Sequence, residues 1–109
     1  MKYILLALCL CCFGLVQAET FRVSKTGKLQ RIKKAIELAK SGDTIIVEPG
    51  VYREGNIIIE KNIVLLGKNF PVLDGENRFE ILTIHANQGT VSGFKFIDTG
   101  VASIQDLAA

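Results

Sequence analysis

The chain has 109 residues, 13 basic against 11 acidic, for a net charge of +2, and has room for one ordinary domain. So even a balance points away from nucleic acid or an acidic polymer as partner. The 49 % hydrophobic content overstates the core, because an apolar stretch at the N-terminus inflates it.

That stretch comes first. Met1-Lys2, the apolar run Tyr3 to Leu15 and the small-residue ending Val16-Gln17-Ala18 before Glu19 read as a secretory signal peptide over 1–18. A retained membrane anchor is the alternative, but the run falls short of the roughly 20 apolar residues a spanning helix needs. Cys9, Cys11 and Cys12 all lie inside it, preceded by Leu8, Leu10 and Cys11 rather than by the small residues expected around a lipid-modified cysteine. The processed chain therefore has no cysteine for a disulfide framework or a thiolate metal site. Export without cysteine suits a bacterial periplasm, with no stable membrane anchor after cleavage. Setting Lys2 aside leaves 12 basic residues against 11 acidic.

Residues 19–41 read as a strand and a capping helix. Glu19 to Val23 is a weakly patterned strand, and Ser24 to Gly27 a turn that offers Thr26 as N-cap. From Lys28 to Lys40, Leu29, Ile32, Ala35, Ile36 and Ala39 fall on one face at helical spacing, with Lys33, Lys34, Glu37 and Lys40 opposite. Gly42 stands where a C-cap glycine belongs. A basic amphipathic helix of this kind suits an anionic surface. The reading we favour is a lid over the open end of a solenoid, whose apolar interior and strand edges need covering.

Residues 42–109 carry short β-branched runs separated by turn clusters. Thr44 to Val47, Ile57 to Ile59, Ile63 to Leu66 and Val72-Leu73 are too short for helices and fit pleated strands. Between them stand Glu48-Pro49-Gly50, Arg53-Glu54-Gly55-Asn56, Glu60-Lys61-Asn62, Gly67-Lys68-Asn69 and Asp74-Gly75, all turn chemistry. A second pass follows: Leu82-Thr83-Ile84 echoes Ile57 to Ile59, Gly93 lies 26 positions after Gly67, and Asp98 lies 24 after Asp74. A period in the twenties with three short strands per turn predicts a parallel β-helix of about two coils. Ile45, Val47, Ile57, Ile59, Val64, Leu66, Leu82, Ile84, Val91, Phe94 and Phe96 are its expected inward stack, with bends at Gly93 and Gly100. The run Val101 to Ala109 supplies no closing cap, so the chain reads as the front of a longer, interrupted solenoid. Its open last coil predicts association or disorder after Gly93.

Few residues suggest chemistry. If Asp74 and Asp98 stack on successive coils, two carboxylates could share a calcium ion or serve as an acid–base pair in sugar cleavage. The favoured alternative is that both serve turns, bonding the nearby backbone. Asn56, Asn62, Asn69, Asn77 and Asn87 recur at turns, where ladders of amides are structural. Tyr52, Phe70 and Phe79 suggest a sugar-stacking face or, the favoured reading, loop packing. No phosphate loop, nucleophile elbow or histidine–carboxylate pair is present.

The segment Ala39 to Ile45 followed by Val47-Glu48-Pro49-Gly50-Val51-Tyr52 resembles the entry to right-handed parallel β-helices of the pectin-lyase-like class. More narrowly, Tyr52 to Ile59, Leu66-Gly67, Pro71 to Asn77 and Ser103 to Ala109 look like the N-terminal part of the NosD family, periplasmic accessory proteins for nitrous oxide reductase maturation. The resemblance covers the processed chain, roughly the first quarter of such a protein. It implies a right-handed parallel β-helix and a non-enzymatic role in supplying or assembling the reductase copper cluster. The implied partners are the reductase or its copper-assembly machinery. The alternative is the N-terminal part of a secreted pectin-lyase-like polysaccharide lyase or hydrolase, or a plain structural β-helix. Copper enters only through the resemblance. His85, the single histidine, suits copper as a donor, yet it has no cysteine or methionine to join it once 1–18 is removed, and we read it as a surface or turn residue. No residue is therefore assigned a catalytic or metal-binding role.

Overall fold

The computed structural model describes residues 17–78 and 80–99; the proposed leader apart from Gln17-Ala18, the Phe79 position, the Gly100 bend and the 101–109 run lie outside these residues. In chain order the elements are β1 (Thr20–Val23), α1 (Ile32–Leu38), β2 (Thr44–Val47), β3 (Val51–Tyr52), β4 (Ile57–Ile59), β5 (Val64–Gly67), β6 (Val72–Asp74), β7 (Leu82–Ile84), β8 (Thr90–Ser92) and β9 (Lys95–Ile97). They form three sheets, ordered β1-β2-β5-β8, β3-β6-β9 and β4-β7, and every pairing is parallel. Strands that return to the same wall once per turn make a β-helix. The chain is the β-solenoid its repeat predicts.

The count of turns differs from expectation. β1 pairs with β2 over four residues, Thr20 opposite Thr44 through Val23 opposite Val47, so the described chain makes about three turns rather than two. The repeat is uneven: Thr44 aligns with Val64, 20 positions on, and Val64 with Thr90, 26 on. The slack lies at the corners, where residues can be added without disturbing a ladder.

Inward side chains form rows along the axis. Phe21, Ile45, Leu65 and Val91 are in register on the first wall, Tyr52, Leu73 and Phe96 on the second, and Ile57 with Leu82 and Ile59 with Ile84 on the third. Ile45, Leu65, Tyr52 and Leu73 are at most 1 % exposed. Each such side chain contributes about 1.5–3 kcal/mol by leaving water. On β5 the inward residue is Leu65, and Val64 and Leu66, expected to point in, are only half-buried. The four-residue run Ile63 to Leu66 is apolar throughout, so alternation could not choose its face, and a shift of one residue inverts every side chain. Register with Ile45 decides it.

Gly67 and Gly93 meet at one corner. A Cβ on either would collide with the other's backbone carbonyl, and Gly93 has φ +84. β9 follows this corner and pairs with β6 over three residues, Val72 opposite Lys95 through Asp74 opposite Ile97.

Helix α1 is shorter than its periodicity suggested, seven residues instead of thirteen. Residues 24–31 are bends and extended chain, Thr26 caps nothing, and the N-cap is Arg31 without a side-chain bond. Ile32, Ala35 and Ile36 are buried against β1, β2 and β4, so the helix does cover the end of the solenoid. Gly42 has φ +97, but within a turn three residues beyond the Ala39 C-cap, where its N–H donates to the Asn62 carbonyl at 2.8 Å.

Candidate functional site

The polar groups that could do chemistry gather at the corner following β3 and β6. Asp74 ends β6 with its carboxylate turned to this corner, only 8 % exposed. Arg53 Nε donates to Asp74 Oδ2 at 3.1 Å, and the Glu76 N–H donates to Oδ1 at 2.8 Å, two residues on. Glu76 and Asn77 then take positive φ, 53° and 59°, which turns the chain. Arg78 Nη2 meets Glu76 Oε2 at 3.0 Å, so two guanidinium groups and two carboxylates neutralise one another.

Asp98 does not join them as a partner carboxylate. Register places Asp74 opposite Ile97, one residue short of the expected match. Asp98 is exposed, at φ 50°, and contributes its backbone carbonyl, which accepts from the Asn77 N–H at 2.8 Å. The 24-residue spacing seen in sequence is one more than the spacing the ladder uses. The turn reading therefore holds for Asp74, and the stacked pair is corrected. Arg53, which sequence reasoning left in a turn cluster, is the residue that neutralises Asp74; its distance of 21 positions, close to one turn, was the signal.

His85 follows β7, exposed, its N–H donating to the Ile59 carbonyl at 2.8 Å. Among the described residues no three His, Cys, Asp or Glu side chains gather as a metal site. One imidazole is not a copper donor set, so the described residues do not fit copper.

The asparagines act singly rather than as a ladder. Asn56 Oδ1 accepts from Thr83 Oγ1 at 3.1 Å and Asn62 Oδ1 from the Gln88 N–H at 3.0 Å, each across one turn. Tyr52 is buried, its hydroxyl donating to the Glu48 carbonyl at 2.9 Å, and burial raises its pKa above the ordinary tyrosine value. It offers no sugar-stacking face. Phe70 packs no loop either: it is 70 % exposed, on a left-handed pair with Asn69, both at φ 55°. Such backbone costs about 1–3 kcal/mol and is held by its surroundings; here buried Pro71, whose carbonyl accepts from the Lys95 N–H, anchors the next residue.

A groove of about 350 Å³ separates α1 from β4, lined by Lys33, Ile36, Glu37, Asn56, Ile58, Glu60 and Lys61. Its Lys61 is committed: Nζ donates to the carbonyls of Ile36 at 2.7 Å, Glu37 at 3.2 Å and Ala39 at 2.6 Å. At the other end of the helix the Glu54 carboxylate accepts from the Ile32 and Lys33 N–H groups at 2.7 and 2.9 Å. Both ends of α1 are thus closed by side chains of the following turn, an anion at the N-terminus and a cation at the C-terminus, as the helix dipole favours. Compared with known proteins, the chain matches no family model, no curated protein and no solved structure.

Proposed function

We propose that this chain is the N-terminal part of a NosD-like periplasmic accessory protein, which serves copper-centre maturation of nitrous oxide reductase without catalysing a reaction. The reading rests on the resemblance of Tyr52 to Ile59 and Pro71 to Asn77. It is supported by the parallel solenoid into which those segments fold. The commitment of Asp74 removes the one sugar-cleaving pair these residues suggested; the carbohydrate-cleaving alternative would carry its catalytic coils beyond Ala109 and is separated from the accessory role by experiment. The two oxygens of Asp74 are taken by Arg53 and by the turn, and Asp98 stands one register away. A glycosidase pair needs two carboxyls facing a common bond about 5–10 Å apart, one able to give up a proton. A guanidinium-bound turn carboxylate does not suit that task, whereas a solenoid wall suits a partner surface.

The test is genetic and chemical. Deleting the full-length gene from a denitrifying host should leave nitrous oxide reductase exported but lacking its copper cluster, and restoring the gene should return the metal. A fully copper-loaded reductase in the deletion strain overturns the accessory role. Cleavage of a uronate polymer by the purified full-length protein would establish the lyase alternative instead.

A further inference from the structure

The first residue after the proposed leader is held by a buried carboxylate. The Glu19 N–H donates to Asp43 Oδ1 at 2.9 Å, while the Lys40 N–H donates to Oδ2 at 2.8 Å. Asp43 is only 5 % exposed. The Glu19 carbonyl in turn accepts from the Thr44 N–H at 2.9 Å, the bond that begins the β1–β2 ladder. Gln17, Ala18 and Glu19 are all exposed, and with Lys40, Ser41 and Asp43 they border a cavity of about 450 Å³.

We propose that cleavage of the Ala18–Glu19 bond creates an α-ammonium that forms an ion pair with Asp43, so that the exported chain fastens β1 to the solenoid with its own new N-terminus. A leader peptidase and one water suffice. The amide C–N bond breaks, hydroxyl goes to the Ala18 carbonyl carbon, and a proton goes to the Glu19 nitrogen, which takes a second proton from solvent near neutral pH. The nitrogen already lies within hydrogen-bond distance of the carboxylate, so the amide bond becomes a charge-assisted one without movement of the strand. Such bonds are roughly twice as strong as neutral ones.

The surroundings agree in sign. Asp43 is already held below the usual carboxylate pKa, first by the backbone N–H of Glu19 and then by that of Lys40, against the opposing effect of burial. The positive charges of Lys40 and Lys61 also face it. Those two cations disfavour a further ammonium, and the Glu19 carboxylate favours it. The favourable charge is the one in direct hydrogen-bond contact with the nitrogen, the Asp43 carboxylate at 2.9 Å. The α-amine should therefore titrate above its ordinary range of about 7.7–8.0, by about one unit or more for an opposite charge this close. A raised folded value means the gain is fully present below about pH 8 and is lost as pH rises through that folded value.

The test uses the full chain, leader included, exported by a Gram-negative host. Intact mass of the product should place its N-terminus at Glu19. The pH profile of acetic anhydride labelling at that amine should show the raised pKa, and selective acetylation of the amine should lower Tm by about 4–8 °C. In Asp43→Asn the amine should return to the ordinary range. Should that variant fail to fold, the profile of the unaltered product still decides. A product that begins elsewhere, one whose Glu19 has cyclised to a lactam, or an amine titrating in the ordinary range overturns the proposal. None of these results bears on the accessory role, so the two can fail separately.

Discussion

At one end of the solenoid α1 lies across the strand rows, and Val23, Ile32, Ala35 and Ile45 are fully buried beneath and within it. At the other end the same rows finish in Ile84, Val91, Phe94 and Phe96, which with Leu82, Ser92 and Gly93 line a cavity of about 260 Å³, and Phe96 remains 37 % exposed. The difference lies in what comes next in the chain. The helix is too short to be stable alone, and it supplies no side-chain cap of its own. Glu54 and Lys61, which stand on either side of β4, supply both. The lid is therefore made by the turn it covers. The rows at the far end meet no such partner among the described residues, and water reaches Phe96 there.

The largest contrast is expected between core truncations at the two ends. Ile45→Ala should lower the unfolding free energy by about 2–5 kcal/mol in urea titration. Phe96→Ala should cost less than half as much, since water already reaches the ring. Equal losses would mean the far end is covered in solution.

Loosening the lid comes next. Lys61→Met leaves three helix carbonyls without their donor and should cost about 1–3 kcal/mol, with loss of helical circular dichroism before the strands melt. Glu54→Ala at the other helix end should cost about 0.5–2 kcal/mol, the range for a lost N-cap. A Lys61→Met chain that keeps its helix signal to the global midpoint would show that α1 does not need this clamp.

Acid sharpens the same end. The Asp43 pKa is lowered by the N–H groups of Glu19 and Lys40, so its contribution is present above the unfolded value of about 3.9 and is lost as pH falls through the lower folded value. Asp43→Asn should therefore flatten the acid limb of the stability profile below about pH 5, down to that folded value. An unchanged limb would point to other carboxylates.

Smaller effects test the walls between the ends. Tyr52→Phe removes the bond to the Glu48 carbonyl and should cost about 1 kcal/mol. The raised Tyr52 pKa means that folded stability should fall as pH rises past about 10, and Tyr52→Phe should remove that alkaline loss. Arg22→Ala should cost at most about 1 kcal/mol, because its pair with Glu48 at 2.8 Å is largely solvated.

The solenoid itself was legible because its determinants are local and repeated. β-branched runs set apart by Gly, Asn and Asp clusters specify short strands and corners, and the echo of Ile57 to Ile59 in Leu82 to Ile84 names its own partner. The lid position of α1 was readable from Ile32, Ala35 and Ile36 on one face. Tertiary structure alone decided which face of Val64 to Gly67 points inward, since an unbroken apolar run carries no alternation and only its alignment with Ile45 selects Leu65. It also decided that Asp74 meets Arg53 rather than Asp98, because a turn of 20 to 26 residues leaves the register free until hydrogen bonds close it. Length, too, was settled there. A seven-residue helix closed by Glu54 and Lys61 ends where those side chains reach, a distance that exists only after the chain has gone once around.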